Sequence, residues 1–185
     1  MTKLKFKEAE ELLKNSTVLY NKEQIESAIS KIVNEIEFDI GDEIPLFLTI
    51  MNGGMFFSSI LLQQIKKPFI LDYIHASRYG NESFGSSHIA WYRQPNADDV
   101  NGRNVYIVDD ILDEGHTLFE VNRFILGLGA KSCKQIVMVD KVINKDKPIS
   151  AQFVALSAPN KFLFGYGMDI FGVYRNMPNI YIYNK

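Results

Sequence analysis

The sequence predicts an α/β fold built on a mostly parallel central sheet flanked by helices. Short apolar runs of strand length alternate with longer segments whose apolar residues recur at helical spacing, which is the pattern of βαβ units. The chain has 185 residues, enough for a single domain with a substantial buried core. Its composition is ordinary for a globular protein, 46% apolar and 23% charged, and no repeat or low-complexity linker divides it.

The first element is a helix over 4–14, where Leu4, Leu12 and Leu13 stand among charges. Residues 22–38, KEQIESAISKIVNEIEF, form the clearest amphipathic helix. Ile25, Ala28, Ile29, Ile32, Val33 and Ile36 share one face, and Asn21 or Ser16 supplies a cap. PLFLTIM, 45–51, reads as a buried strand, NGG, 52–54, as a turn, and MFFSSILLQQI, 55–65, as a helix. PFILDYIHASRY, 68–79, is the second strand of this series. The stretch 80–103 mixes polar, Gly and Pro residues and is expected to be a short hairpin or a mobile loop. NVYIVDD, 104–110, is the third strand, and GHTLFEVNRFILGLG leads into a helix that closes near Gly127 or Gly129. KQIVMVDKV, 134–142, is the fourth strand, and AQFVALSA, 151–158, and NIYIYN, 179–184, are further strands.

Net charge is −2 and the pI is near 5.9, so no broad basic surface offers itself to nucleic acid. Cys133 is the only cysteine; it has no internal disulfide partner, and no Cys/His spacing suggests a metal site. A reducing cytoplasm fits that usage best. The N-terminal MTKLKFKEAEELLKN lacks the apolar core of a signal peptide, and no apolar run is long enough to cross a bilayer.

Ligands of parallel sheets gather beyond the carboxyl ends of the strands. Three of those ends carry unusual residues: NGG after the first strand, DDILDEGHT after the third, and DK after the fourth. They are expected to converge on one site. In DEGHT, 113–117, Gly115 lets the backbone turn tightly and bare its N–H groups. With a helix N-terminus behind them and the Thr117 hydroxyl beside them, those groups suit an anion. By itself the pentapeptide is more simply an ordinary strand-to-helix turn capped by Thr117. It is no Walker A loop, because Gly-Lys-Ser/Thr is missing. Asp109 and Asp110 follow four apolar residues. One of the two would face the core if the strand continued, a costly place for a carboxylate. The pair therefore points to ligand hydroxyls or a metal. Acids and phosphate turn together ask for a ligand with both sugar hydroxyls and a phosphate.

VYIVDDILDEGHTL resembles the phosphoribosyl-pyrophosphate motif of the type I phosphoribosyltransferases: apolar residues, two acids, two apolar residues, then Asp-x-Gly-x-Thr. The resemblance implies that family's fold, with a small hood formed by the terminal segments. It divides the chain, as one phosphoribosyltransferase domain over 1–185, into a core of roughly 38–145, with 1–37 and 146–185 giving the hood and a base-binding segment. It implies that Asp109 and Asp110 hold the ribose hydroxyls. The 5′-phosphate would rest on the turn Asp113, Glu114, Gly115, His116 and Thr117, through its backbone amides and the Thr117 hydroxyl.

Further matches resemble the 6-oxopurine branch, the hypoxanthine-guanine phosphoribosyltransferases. Met51, Asn52, Gly53 and Gly54 correspond to the pyrophosphate loop, with Asn52 where lysine is common. In MVDKV, Lys141 would donate to the purine 6-oxo group. PNKFLFGYGMDIFGVYR resembles the branch's base-binding segment, including an arginine six residues past the aspartate. By that likeness Phe162 would stack on the purine and Leu163 would read its edge through the backbone. Asp169, on the purine side, would help bind magnesium, and Arg175 would contact pyrophosphate. Read without the family, KFLFGYG is an aromatic core strand, a role that suits Phe164 and Tyr166 while Phe162 faces the ligand. HASRYGN matches the flexible loop at Arg78 and Tyr79, with Arg78 in a serine's usual place, and Glu114 replaces the small Thr or Ser of the phosphate turn. Residues 82–97 match the common loop poorly, yet the likeness extends from about Val18 to the C-terminus.

The implied reaction is transfer of phosphoribose from phosphoribosyl pyrophosphate to hypoxanthine or guanine, giving IMP or GMP and pyrophosphate. Asp113 is the catalytic candidate, near purine N7. Mg2+ is the implied cofactor, held by Asp169, with Asp109 and Asp110 acting through water. The implied partners are the phosphoribosyl donor, a 6-oxopurine base and a purine nucleoside monophosphate, in a homodimer or homotetramer. Two rival readings are a xanthine-preferring relative and a regulatory RNA-binding protein on the same scaffold. The acidic balance argues against the second. A phosphate-binding domain without catalysis does not explain KFLFGYGMD beside DDILDEGHT.

Overall fold

The structure, a computed structural model, describes residues 4–78 and 89–184. Its centre is a six-stranded sheet built from β2 (Leu46–Met51), β3 (Ile70–Arg78), β4 (Ile89–Arg93), β5 (Asn104–Leu112), β6 (Ser132–Val142) and β7 (Phe153–Pro159), in the order β4-β3-β2-β5-β6-β7. All neighbours run parallel except β4, which returns antiparallel along β3. The mostly parallel sheet expected from sequence is therefore present. From β2 the chain steps outward to β3; from β5 it steps the other way to β6 and β7. The point where the order reverses lies between β2 and β5, where α/β sheets place their ligands.

Side-chain alternation sorts the sheet into two apolar layers. Tyr106 and Val108 of β5 face a cluster that includes Phe47, Phe57 and Ile136, whereas Val105 and Ile107 face one with Leu48, Leu118 and Ile125. Helix α2 (Lys22–Ile40) fills the first layer with Ile25, Ile29, Ile32, Val33, Ile36 and Ile40, joined by α3 (Gly54–Gln64). Asn21 caps α2: its side chain accepts from the Gln24 amide at 2.9 Å, and Gln24 accepts from the Asn21 amide at 3.0 Å. Helix α5 (His116–Gly127) covers the other face through Leu118, Val121 and Ile125.

A second sheet has three antiparallel strands in the order β1 (Ser16–Tyr20), β9 (Ile180–Tyr183), β8 (Leu163–Phe164). It is the hood of the terminal segments, preceded by α1 (Phe6–Lys14). The sequence alone gives no strand at 16–20 and no pairing partner for NIYIYN. In the structure STVLY pairs with it, Thr17 opposite Ile182 and Val18 opposite Tyr181. Within 80–103, the described part holds β4 and a short helix, α4 (Ala97–Val100). One boundary correction matters for function. Strand β5 ends at Leu112, beyond the Asp110 expected from sequence, because pairing with β6 continues through Ile111↔Val139 and Leu112↔Asp140. Asp109 and Asp110 lie inside the strand, not past its end.

Candidate active site

The carboxyl ends of β2, β5 and β6 do converge. A cavity of about 480 Å³ is lined by Met51, Asn52, Gly53, Asp109, Asp110, Asp113, Lys141, Phe162, Leu163, Asp169 and Arg175, together with residues the sequence reading did not single out, His75 and Met168 among them. An adjoining cavity of about 540 Å³ shares Asp109, Asp110, Asp113 and Lys141 and extends over Glu114, Gly115, His116 and Thr117. Gly54 lies behind this surface, buried so tightly that a Cβ there would stand 2.8 Å from the Val108 carbonyl oxygen. Arg78 closes β3, but its side chain and all of Tyr79 lie outside the described residues.

The phosphate-turn candidate is built by one glycine. Gly115 is the N-cap of α5 with φ of 83°, a left-handed conformation that other residues adopt only at a cost. The expectation that Thr117 caps the helix is corrected: Thr117 is already inside α5, and no side-chain cap bond is made. The first-turn amides therefore face the cavity without a competing acceptor from the cap, and no acid stands in that turn. Helix α3 begins the same way, with Gly53 as N-cap, no side-chain cap bond and no first-turn acid. Two helix N-termini thus point their partial positive charge at one site, a ready environment for anions. The Met51–Asn52 peptide between β2 and α3 is cis.

Asp109 and Asp110 are almost wholly buried, at 9% and 8% exposure. The Asp110 amide donates to Asp109 Oδ1 at 3.0 Å. Burial pushes both carboxyls up; the neighbouring Asp110 charge raises Asp109 further, while Asp109's hydrogen bond and the Arg175 guanidinium moderate Asp110. An aspartate that titrates near 3.8 when unfolded but higher when folded binds more protons in the folded state over that interval. Stability then falls as pH rises through the interval. Asp109→Asn removes that loss while keeping an oxygen for the Asp110 amide. In thermal unfolding of the ligand-free protein, the variant's Tm is expected to exceed wild type at about pH 8, with the gap closing toward about pH 4. A gap that does not change with pH would mean that ionisation of Asp109 carries no strain.

The remaining side chains surround this pair. Lys141, only 9% exposed, donates from Nζ to Asp113 Oδ2 at 2.9 Å. Arg175 is ion-paired with Asp169 and donates to the Gly167 carbonyl at 2.7 Å, and Asp169 also accepts from the Gly172 amide at 2.8 Å. Phe162 is 47% exposed at the cavity, whereas Phe164 and Tyr166 are buried, the division expected for this segment. Phe171 stacks near Phe162 with ring centroids 6.4 Å apart. Buried acids, a cation paired with a carboxylate, an exposed aromatic face and two uncapped helix ends can together hold a sugar, a base and phosphate groups.

The chain belongs to the phosphoribosyl transferase domain family, whose family model matches residues 15–170. It is 30% identical over 163 residues to the hypoxanthine-guanine phosphoribosyltransferase of Bacillus subtilis, covering 88% of this chain and 90% of that protein. It is 32% identical over 163 residues to the bifunctional protein TilS/HprT of Listeria innocua, where it spans only 25% of the relative's length and the match covers 88% of this chain. A crystal structure of a hypoxanthine-guanine phosphoribosyltransferase from Bacillus anthracis superposes with a TM-score of 0.83 at 28% identity, covering 90% of this chain and 97% of that one.

Proposed function

We propose that the chain transfers phosphoribose from phosphoribosyl pyrophosphate to N9 of hypoxanthine or guanine, a purine-salvage reaction that releases pyrophosphate. The carrying observation is the 2.9 Å contact between Lys141 Nζ and Asp113 Oδ2 in the cavity that also holds the buried aspartate pair. An ammonium is a pure donor and a carboxylate a pure acceptor. Side by side they complement the 6-oxo group and N7–H, which are neighbours on one edge of the base. Relatives named for hypoxanthine and guanine favour this substrate over the xanthine-preferring and RNA-binding alternatives.

Asp109 and Asp110 hold the ribose hydroxyls, and the amides of 114–117 with the Thr117 hydroxyl hold the 5′-phosphate. The loop from Met51 to Gly54 and the Arg175 guanidinium receive the pyrophosphate. Phe162 stacks on the base and the Leu163 backbone reads its edge. The N9–C1′ bond forms as the bond from C1′ to the pyrophosphate oxygen breaks, and the electron pair leaves with pyrophosphate. Positive charge grows on the sugar in such glycosyl transfers. Asp113 takes the proton that N7 gives up as N9 attacks.

Magnesium fits the donor set. Asp109, Asp110 and Asp169 offer hard oxygens, and such sites bind magnesium through one or two carboxylates plus substrate oxygens and water. Among the described residues no three His, Cys, Asp or Glu converge to hold a metal without substrate. When bound, the ion supplies charge neutralisation to the leaving pyrophosphate.

Also proposed are a single domain with the core and hood limits read from sequence, a cytoplasmic location in keeping with the lone Cys133, and self-association. No described helix is long and apolar enough to cross a membrane. Exposed Met55, Leu71 and Tyr73 line a groove of about 680 Å³ that supports the pairing of subunits.

The direct test is pyrophosphate release from phosphoribosyl pyrophosphate, with each of hypoxanthine and guanine, with and without magnesium. Release is expected to require both base and metal. No release with either base under any metal condition would contradict the proposal.

A further inference from the structure

Lys147 lies in the connection between β6 and β7 and belongs to no motif. Its ammonium donates to the Leu112 carbonyl at 2.7 Å, to the Lys141 carbonyl at 2.6 Å and to Asp140 Oδ1 at 2.6 Å. An ammonium has three protons, so its donor capacity is fully used. The side chain is only 14% exposed, and a cation so far from water needs partners of this quality.

The partners are informative. Leu112 immediately precedes Asp113, and the second carbonyl is that of Lys141 itself. The backbone ladder between β5 and β6 ends at Leu112↔Asp140. Lys147 therefore ties the two strands together where their own pairing stops. The residues just beyond that tie are the ones whose side chains meet at 2.9 Å. The loop it anchors also forms a wall of the site, since Ile143, Asn144 and Lys145 line the cavity that extends over Glu114–Thr117.

We infer that Lys147 is a positioning residue for the base half of the site: by clamping the Leu112 and Lys141 carbonyls it fixes the distance and direction of the Asp113–Lys141 pair. This rests on the phosphoribosyl-transfer reading and extends it to a side chain that does not touch the reacting atoms. The aspartate pair precedes the clamped Leu112 carbonyl and is held to β6 by the ladder through Ile111↔Val139, and Gly115 sets the α5 N-terminus, so the donor half of the site is expected to feel the loss of the clamp less than the base half does.

The experiment compares wild type, Lys147→Met and Lys147→Arg by steady-state kinetics in hypoxanthine and in phosphoribosyl pyrophosphate, with thermal unfolding alongside. Lys147→Met is expected to raise KM for hypoxanthine by about 10–100-fold, the scale of a misplaced binding group. KM for phosphoribosyl pyrophosphate is expected to rise by much less, and Lys147→Arg, whose guanidinium can still reach carbonyl oxygens, to lie nearer wild type. An unaltered hypoxanthine KM, an equal rise in both KM values, or failure of both variants to fold overturns the inference and leaves Lys147 a structural tie. Absence of turnover in wild type counts against the reaction itself, so the two failures are distinct.

Discussion

Replacing Asp113 by asparagine is expected to slow turnover by about 10²–10⁴-fold, the usual contribution of a positioned proton acceptor. Nucleotide binding should hardly change. The side chain is about half exposed at the cavity (48%), and its Oδ2 accepts from Lys141 at 2.9 Å. Asparagine keeps the volume and an oxygen for Lys141, so base recognition survives. It cannot take up the N7 proton, so that proton must leave through solvent as N9 attacks. The effect should appear in kcat, with the dissociation constant of IMP close to wild type. Unchanged turnover would remove Asp113 from the chemistry.

Gly53→Ala is expected to be strongly damaging for a substitution that adds a single methyl group. Gly53 has φ of −62°, which alanine adopts freely, so no backbone strain confuses the result. The obstacle is contact. A Cβ at Gly53 would run into both oxygens of the Asp110 carboxylate, which is buried at 8% exposure and has little room to withdraw. Gly53 is held from the other side as well, because Gly167 packs against its carbonyl oxygen so closely that a Cβ on Gly167 would collide with it. The added methyl must move the pyrophosphate loop, the aspartate or the hood turn. Overpacking of this kind costs about 1–3 kcal/mol of stability. A displacement near 1 Å at a catalytic group lowers turnover by about 10²-fold. Gly127→Ala is the control: a Cβ there meets nothing within 4 Å, so both activity and Tm should hold.

The parts of the molecule legible in the sequence were those written in local pattern. The face of α2 from Ile25 to Ile36, the runs of β2, β5 and β6, and the glycine ahead of α5 each declare themselves through spacing within a dozen or so residues. The convergence of NGG, DDILDEGHT and DK followed from sheet topology, because parallel strands bring their carboxyl ends to one edge. What escaped was set by partners far along the chain. STVLY became β1 only because β9, at the other terminus, offers an edge to pair with. Ile111 and Leu112 extended β5 because β6 lay alongside, and that extension drew Asp109 and Asp110 into the buried strand. Lys147 gave no signal at all: a lysine in a polar loop is ordinarily solvated, and only the fold brings it to the Leu112 and Lys141 carbonyls.

The Lys141–Asp113 pair makes the most specific demand on substrate, since the ammonium needs an acceptor at the purine 6-position. Adenine presents an amino donor there and offers the Lys141 ammonium no acceptor. Sites built around such a bond reject an analogue that cannot make it by on the order of 10⁴-fold. The decisive measurement is a competition. The protein, phosphoribosyl pyrophosphate and magnesium are incubated with equal hypoxanthine, guanine and adenine, and the nucleotides formed are separated and counted. IMP and GMP are expected, with AMP at trace level. AMP as the main product, or no nucleotide from any base, would contradict the proposed reaction.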